Sequence, residues 1–312
     1  METLLESKTG NAIASVAIGD VYYDLWRTYA FPSWKKYCEK YGLGLFVMRE
    51  YAHPEQKKYV KRPTWEKFLV LSEIEKRHSD IDNVCYIDTD FLISPIARNV
   101  FEHYHDKNKI ALVSAFKNMP YPDTEVRRRI AFFRNRYYSK DYPLDSALFI
   151  SLKDVAAYHG TPELENYACA GFFVGNIQNH ARLFEEWYYK YTKDVQSITD
   201  GGDQHYFNCE TQSFGQICWL DYGFQALWTH EVAWKYPFLY KYGNTDKALV
   251  TKCIEASLLV NDFLHFAGSW HESKMWTETH AFADPEVTQS YADFARYCEM
   301  PVTGKPVGSK KP

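Results

Sequence analysis

Asn83–Pro95 reads NVCYIDTDFLISP. Its first part, Val84–Ile87, is short, apolar and rich in β-branched and aromatic side chains, the composition of a buried strand. The run stops at two carboxylates one residue apart, Asp88 and Asp90; beyond Phe91–Ile93, Ser94-Pro95 breaks regular structure. Ligands of open α/β sheets bind beyond the carboxyl ends of the strands, which is where such a strand delivers its acids. Carboxylates this close repel unless a cation or a shared proton lies between them. With Thr89 as a small spacer, the pattern predicts Mg²⁺ or Mn²⁺ carrying a diphosphate, because hard divalent ions take oxygen ligands. The plainer reading is a strand end and a turn, which Asp also favours.

Upstream, Ala12–Ile18 reads as a first strand closed by Gly19-Asp20, followed by a helix over about 22–41 that stops at Gly42. Leu43–Met48 is the second strand, and Thr64 is placed to cap a helix over Trp65–Arg77. Strand, helix, strand, helix, strand argues for a largely parallel sheet with crossover helices, and residues 1–10 read as loose. Downstream, Ile110–Ala115 is a fourth strand. Residues 116–145 interrupt the pattern with prolines and a basic helix, Val126–Tyr138. Its five arginines (127, 128, 129, 134 and 136) fit a solvated face, or a lid turned toward an acceptor or a phosphate. Tyr167–Asn176 reads as a strand whose glycines let backbone approach something closely. A helix over 179–191 follows, then a shorter one with Asp203 at its start. Strands are expected at 216–221 and 262–266, with a last helix over 285–297 and a loose tail at 304–312.

The chain has 312 residues, 36 Lys plus Arg against 40 Asp plus Glu and a net charge of −4, which does not suggest nucleic acid as its partner. Apolar content of 46% supports a sizeable core, and the 25 Tyr and 9 Trp suit surfaces that grip sugars or nucleobases. No apolar run is long enough for a membrane span, and no leader precedes the first strand. The seven cysteines are scattered without a CxxC pair and read as reduced thiols of a cytoplasmic protein.

Together these stretches resemble the nucleotide-diphospho-sugar transferases of the glycosyltransferase A fold, above all the glycogenin-like and galactosyltransferase-like retaining branch. Asp88-Thr89-Asp90 looks like the DxD metal motif, and Ala170–Asn176 (AGFFVGN) like the small-Gly-apolar-Asn strand. Asp203-Gln204 looks like the D-Q pair that opens a later helix. His265-Phe266-Ala267-Gly268, followed by Lys274, is similar to the H-x-x-G-x-x-K segment, with a longer interval before the lysine. Trp65–Phe68 resembles the helix whose lysine, here Lys67, faces the donor.

The resemblance implies a single α/β domain with a Rossmann-type mixed, mostly parallel sheet. Residues 12–115 would form its nucleotide-binding half, 116–280 the acceptor- and metal-completing half, and 281–312 a C-terminal helix and tail. It implies a metal site of Asp88, Asp90 and His265, and donor contacts from Asp88, Lys67, Lys274 and Gly268. Asp203 and Gln204 would act on the sugar, Asp203 as a base in an inverting enzyme or as an orienting group in a retaining one. Two oxygens and one nitrogen match Mn²⁺ better than Ca²⁺, with Mg²⁺ also admissible. The implied reaction moves a sugar from a UDP-sugar, or a GDP-sugar, to a glycan, lipid-linked sugar or protein hydroxyl, with retention slightly favoured. For His265 the plainer reading is a satisfied core histidine, and for Asp203 a helix cap.

Other classes remain open at this stage. A haloacid-dehalogenase-like phosphatase would use Asp88 as nucleophile, but Leu92 fills the slot where that family has Thr or Val, and a full βαβα unit precedes the motif. A nucleotidyltransferase would want a Gly-rich, Arg-containing loop where Ile18–Tyr22 stands. A non-catalytic carbohydrate-binding protein would use the aromatic residues but needs no diphosphate site.

Overall fold

The computed structural model describes residues 1–138, 151–197, 202–243, 245–268, 271–278 and 280–282. The helix expected over 285–297, the tail at 304–312 and the end of the insertion at 139–145 lie outside the described residues.

Ten strands run through the described chain: β1 (Glu2–Leu5), β2 (Asn11–Val16), β3 (Gly44–Met48), β4 (Asn83–Ile87), β5 (Phe91–Ile93), β6 (Ile110–Val113), β7 (Phe172–Asn176), β8 (Ile217–Leu220), β9 (Ala226–Leu227) and β10 (Phe263–His265). Seven form one sheet in the order β1-β3-β2-β4-β7-β6-β8, and β5-β10-β9 form a second, small one. β2 lies parallel to both β3 and β4, as the crossover pattern requires, and β6 lies parallel to β8. β7 runs against both of its neighbours, β4 and β6, so the large sheet is mixed.

Alternation along the strands splits the interior into two layers. Val84 and Tyr86 face one core with Phe68, Phe173, Phe184 and Phe207. Cys85 and Ile87 face the other, with Trp26, Trp34 and Phe172. Both faces of β4 are therefore dry, which is why its sequence is apolar throughout.

Three details depart from expectation. Residues 1–10 are not all loose: β1 pairs antiparallel with β3 at the sheet edge, where a half-exposed strand needs no apolar run. The helix expected over 22–41 is two, Asp20–Tyr29 and Phe31–Tyr41, separated at Ala30. Pro32 has no N–H and its ring obstructs the preceding turn, so the first helix cannot run through it. Thr64 caps nothing: Pro63–Leu69 is a 3₁₀ segment that passes into an α-helix only at Val70–Glu75.

The basic helix spans Asp123–Tyr137 and is not a bare cationic face. Arg127 pairs with Asp123 at 3.0 Å and lies over the Phe116 ring; Arg129 pairs with Glu125 at 2.8 Å and lies over Trp234. Arg134 is fully buried in an ion pair with Glu272. Three of the five arginines thus have partners within the chain. No helix among the described residues is long and apolar enough to cross a membrane. The six described cysteines are free thiols.

Candidate active site

Asp88, Thr89 and Asp90 form the crossing between the two sheets, since β4 belongs to one and β5 to the other. The small sheet completes the site. β5 and β10 pair antiparallel with Phe91 opposite His265, and the Phe266 amide donates to the Asp90 carbonyl at 3.0 Å. That ladder sets the His265 Nε2 atom 3.3 Å from Asp90 Oδ1. Asp90 Oδ1 is buried and makes no hydrogen bond of good geometry among the described residues.

The Asp88 amide donates to the Gly171 carbonyl at 2.9 Å, which brings the Gly-rich stretch against the acids. A Cβ on Gly171 would sit 2.4 Å from His265 Cε1 and 2.8 Å from Asp88 Oδ2. Only glycine leaves room for both groups, so the close backbone approach read from the sequence occurs at Gly171.

Ligand atoms of Asp88, Asp90 and His265 lie within 4.8 Å of one another. Two ligands at about 2.1 Å from one small cation lie about 3–4 Å apart, so modest closure would complete such a site. The donor set fits a divalent ion, with carboxylate oxygens for a hard cation and imidazole nitrogen for a transition metal.

Lys67 and Asp203 stand next to this cluster. Lys67 Nζ donates to the Ala170 carbonyl at 2.9 Å and lies 3.0 Å from Asp203 and 3.4 Å from Asp88. Its ammonium is 2% exposed and serves three oxygens, so it faces protein rather than open solvent. Burial opposes its charge, but the two carboxylates outweigh this and raise its pKa. Asp203 is also raised, by burial and by Asp88 acting against Lys67. Two carboxylates, Asp88 and Asp203, thus face Lys67, and the third, Asp90, faces His265.

Asp203 opens the helix Gln204–Phe214 but its side chain makes no cap hydrogen bond; it turns to Lys67 instead. Asn208 on that helix bonds the Ala168 amide at 2.7 Å and its carbonyl at 2.8 Å, fixing the helix against the Gly-rich segment. The Gln204 carboxamide is engaged by the Tyr167 hydroxyl.

His265 is held on every side. Phe91 stacks on its ring at 4.1 Å, Gln225 Nε2 lies 3.1 Å from Nδ1, and Cys169 Sγ lies 3.6 Å from it. Burial disfavours the charged ring, yet Cys169 and Asp90 raise its pKa to about 10.

The two remaining expected donor contacts lie past β10. Gly268 has φ 100, a left-handed conformation that suits glycine, and Ser273 Oγ donates to the Ala267 carbonyl. Lys274 is exposed on the 3₁₀ segment Glu272–Glu278 and has no ion pair with the acids among the described residues.

No protein-family model matches the chain, and no curated protein matches it in sequence. Solved glycosyltransferases resemble its chain path. One, involved in glycosylation of the major capsid of PBCV-1, shares 9% identity at a TM-score of 0.48, over 86% of this chain and 99% of that one. The bifunctional WbbM shares 13% at 0.47, over 94% of this chain and 52% of that one. The galactosyltransferase LgtC, solved with donor and acceptor sugar analogues, shares 15% at 0.40, over 94% and 98%. At such identities the likeness concerns chain path, and the chemistry rests on the residues themselves.

Several contributors carry no motif. Tyr86, whose hydroxyl donates to Asp88 Oδ1 at 2.5 Å, stands two residues before it and so on the same side of the chain, a signal the strand pattern did contain. Gln225 and Cys169 are brought in by topology alone.

Proposed function

We propose that the chain is a metal-dependent glycosyltransferase of the glycosyltransferase A type, moving a sugar from a nucleotide-diphospho-sugar to a hydroxyl acceptor. The observation that supports this most is the Asp88–Asp90–His265 cluster gathered over Gly171, beside the Lys67–Asp203 pair. Asp88, Asp90 and His265 would hold Mn²⁺ or Mg²⁺, which when bound supplies positive charge against a departing diphosphate. Asp203, fixed by Lys67, is the carboxylate available to orient the sugar or receive the acceptor proton, with Gln204 beside it. Gly268 and Lys274, on the segment that follows His265, would contact the donor diphosphate. A UDP-sugar is the favoured donor, a GDP-sugar the alternative, and a glycan, lipid-linked sugar or protein the acceptor. Retention follows from the resemblance to the glycogenin-like branch, and the free thiols suit a cytoplasmic setting.

The test is a thermal shift of the whole chain with Mn²⁺ alone, UDP alone and both together, followed by assay of UDP-sugar hydrolysis. The two together should raise the melting temperature by roughly 5 °C at a hundredfold excess over Kd. Equal stabilisation by UDP with EDTA present would overturn the metal-dependent reading.

A further inference from the structure

Gln225 stands on the turn Tyr222–Gln225, just before β9, and is 2% exposed. Its carboxamide nitrogen donates to the Cys169 carbonyl at 3.0 Å and faces His265 Nδ1 at 3.1 Å. The turn cannot easily shift. The Asp221 carboxylate accepts from the Gly223 amide, the Asp262 amide donates to the Gly223 carbonyl, and Arg98 bridges Asp221 and Asp262. Downstream, β9 pairs in parallel with β10, with Leu227 opposite His265.

A neutral imidazole carries one N–H. With the Gln225 nitrogen donating to Nδ1, that N–H sits on Nε2 and points at Asp90. A cation on Nε2 needs the lone pair there and the N–H on Nδ1. Gln225 can accept that N–H by turning its carboxamide so that Oε1 faces the ring, which gives up the hydrogen bond from its nitrogen to the Cys169 carbonyl. The Phe91 stack fixes the plane of the ring, and the Nδ1 contact favours one of the two ring orientations about Cβ–Cγ that share this plane.

We propose that Gln225 is a positioning residue for the metal centre, holding His265 through Nδ1 so that Nε2 faces Asp88 and Asp90. This rests on the metal-site reading above. Ring nitrogens opposite a metal are commonly held in this way, and losing the partner typically weakens metal affinity 10- to 100-fold.

The experiment is a Mn²⁺ titration of the whole chain, read by loss of the free-ion electron paramagnetic resonance signal. Wild type, Gln225→Met, Gln225→Glu and His265→Ala are compared, with both Gln225 changes repeated in the His265→Ala background. Gln225→Met should weaken Mn²⁺ binding by 10- to 100-fold, and Gln225→Glu should bind at least as tightly as wild type, since a carboxylate accepts the Nδ1 proton. Neither change should alter affinity further once His265 is gone, because the effect travels through the ring. Wild-type affinity in Gln225→Met overturns the proposal while leaving the metal site standing. So does an equal effect in both backgrounds. If Gln225→Met does not fold, Gln225→Glu decides: tightening that needs His265 supports the role, and tightening without His265 overturns it. Absence of Mn²⁺ binding by the wild type overturns the site reading itself.

Discussion

The Lys67 ammonium is enclosed by one carbonyl and two carboxylates. Lys67, expected to meet the donor, stands in this structure against the Ala170 carbonyl, the half-buried Asp88 and the buried Asp203, and so offsets the charge of that pair. Lys67→Met should therefore lower the free energy of unfolding by about 3–5 kcal/mol, because it leaves buried charge without a partner. Lys67→Met with Asp203→Asn should recover part of the loss. Urea melts measure both, and full stability in the single variant would return Lys67 to the donor side. Gly171 is constrained more tightly. A Cβ there would lie 2.4 Å from His265 Cε1, so Gly171→Ala should cost about 1–3 kcal/mol by overpacking. It should also weaken Mn²⁺ binding at least tenfold in a metal titration; unchanged affinity would mean that the ring moves aside freely. The acids could be read from the sequence because they end an apolar strand, and His265 and Asp203 because they stand in motifs that carry the resemblance. The burial of Lys67 could not, because a 3₁₀ segment turns residues 65–69 inward together where an α-helix would have left some outside.

At the level of elements, the basic helix Asp123–Tyr137 illustrates how charge in a sequence misleads when partners are remote. Its i,i+4 acids were visible, but Glu272 lies far along the chain, and only the fold shows that Arg134 is buried against it. Arg134→Met should cost about 3–5 kcal/mol by stranding Glu272, whereas Arg134→Met with Glu272→Met should restore most of it. Arg128→Ala, at an exposed position, should stay within about 0.5 kcal/mol of wild type. Denaturant melts of the three variants separate these outcomes, and a harmless Arg134→Met would show that the ion pair holds nothing together. The long crossover elements were legible from periodicity. Of the small sheet only the strand expected at 262–266 was legible; β5 and β9, of three and two residues, are too short to show a period, and pairing with β5 carries His265 to Asp90.

Across the molecule, three buried histidines, His180, His205 and His230, are lowered by burial and shape the response to acid, the last two most. Burial, with His159 adjacent, lowers His205 to about 4. Burial, with Arg127 and Arg134 nearby, lowers His230 to about 3. Both take up protons more readily when unfolded, so stability is lost as pH falls from about 6.5 toward those values, by up to about 1.4 kcal/mol per pH unit for each. Asp203, raised in the fold, acts in the opposite sense. Melting temperature should accordingly fall between pH 6.5 and 4, and His230→Leu should flatten the slope; a level profile would contradict the burial of these rings. The position of Asp88–Asp90 between two sheets also has a bearing on biosynthesis. Asp90 leaves the ribosome about 175 residues ahead of His265. Until β10 pairs with β5, the acids have no imidazole opposite them. The cluster is thus completed only when β10 pairs with β5, so it forms with the tertiary fold and not ahead of it.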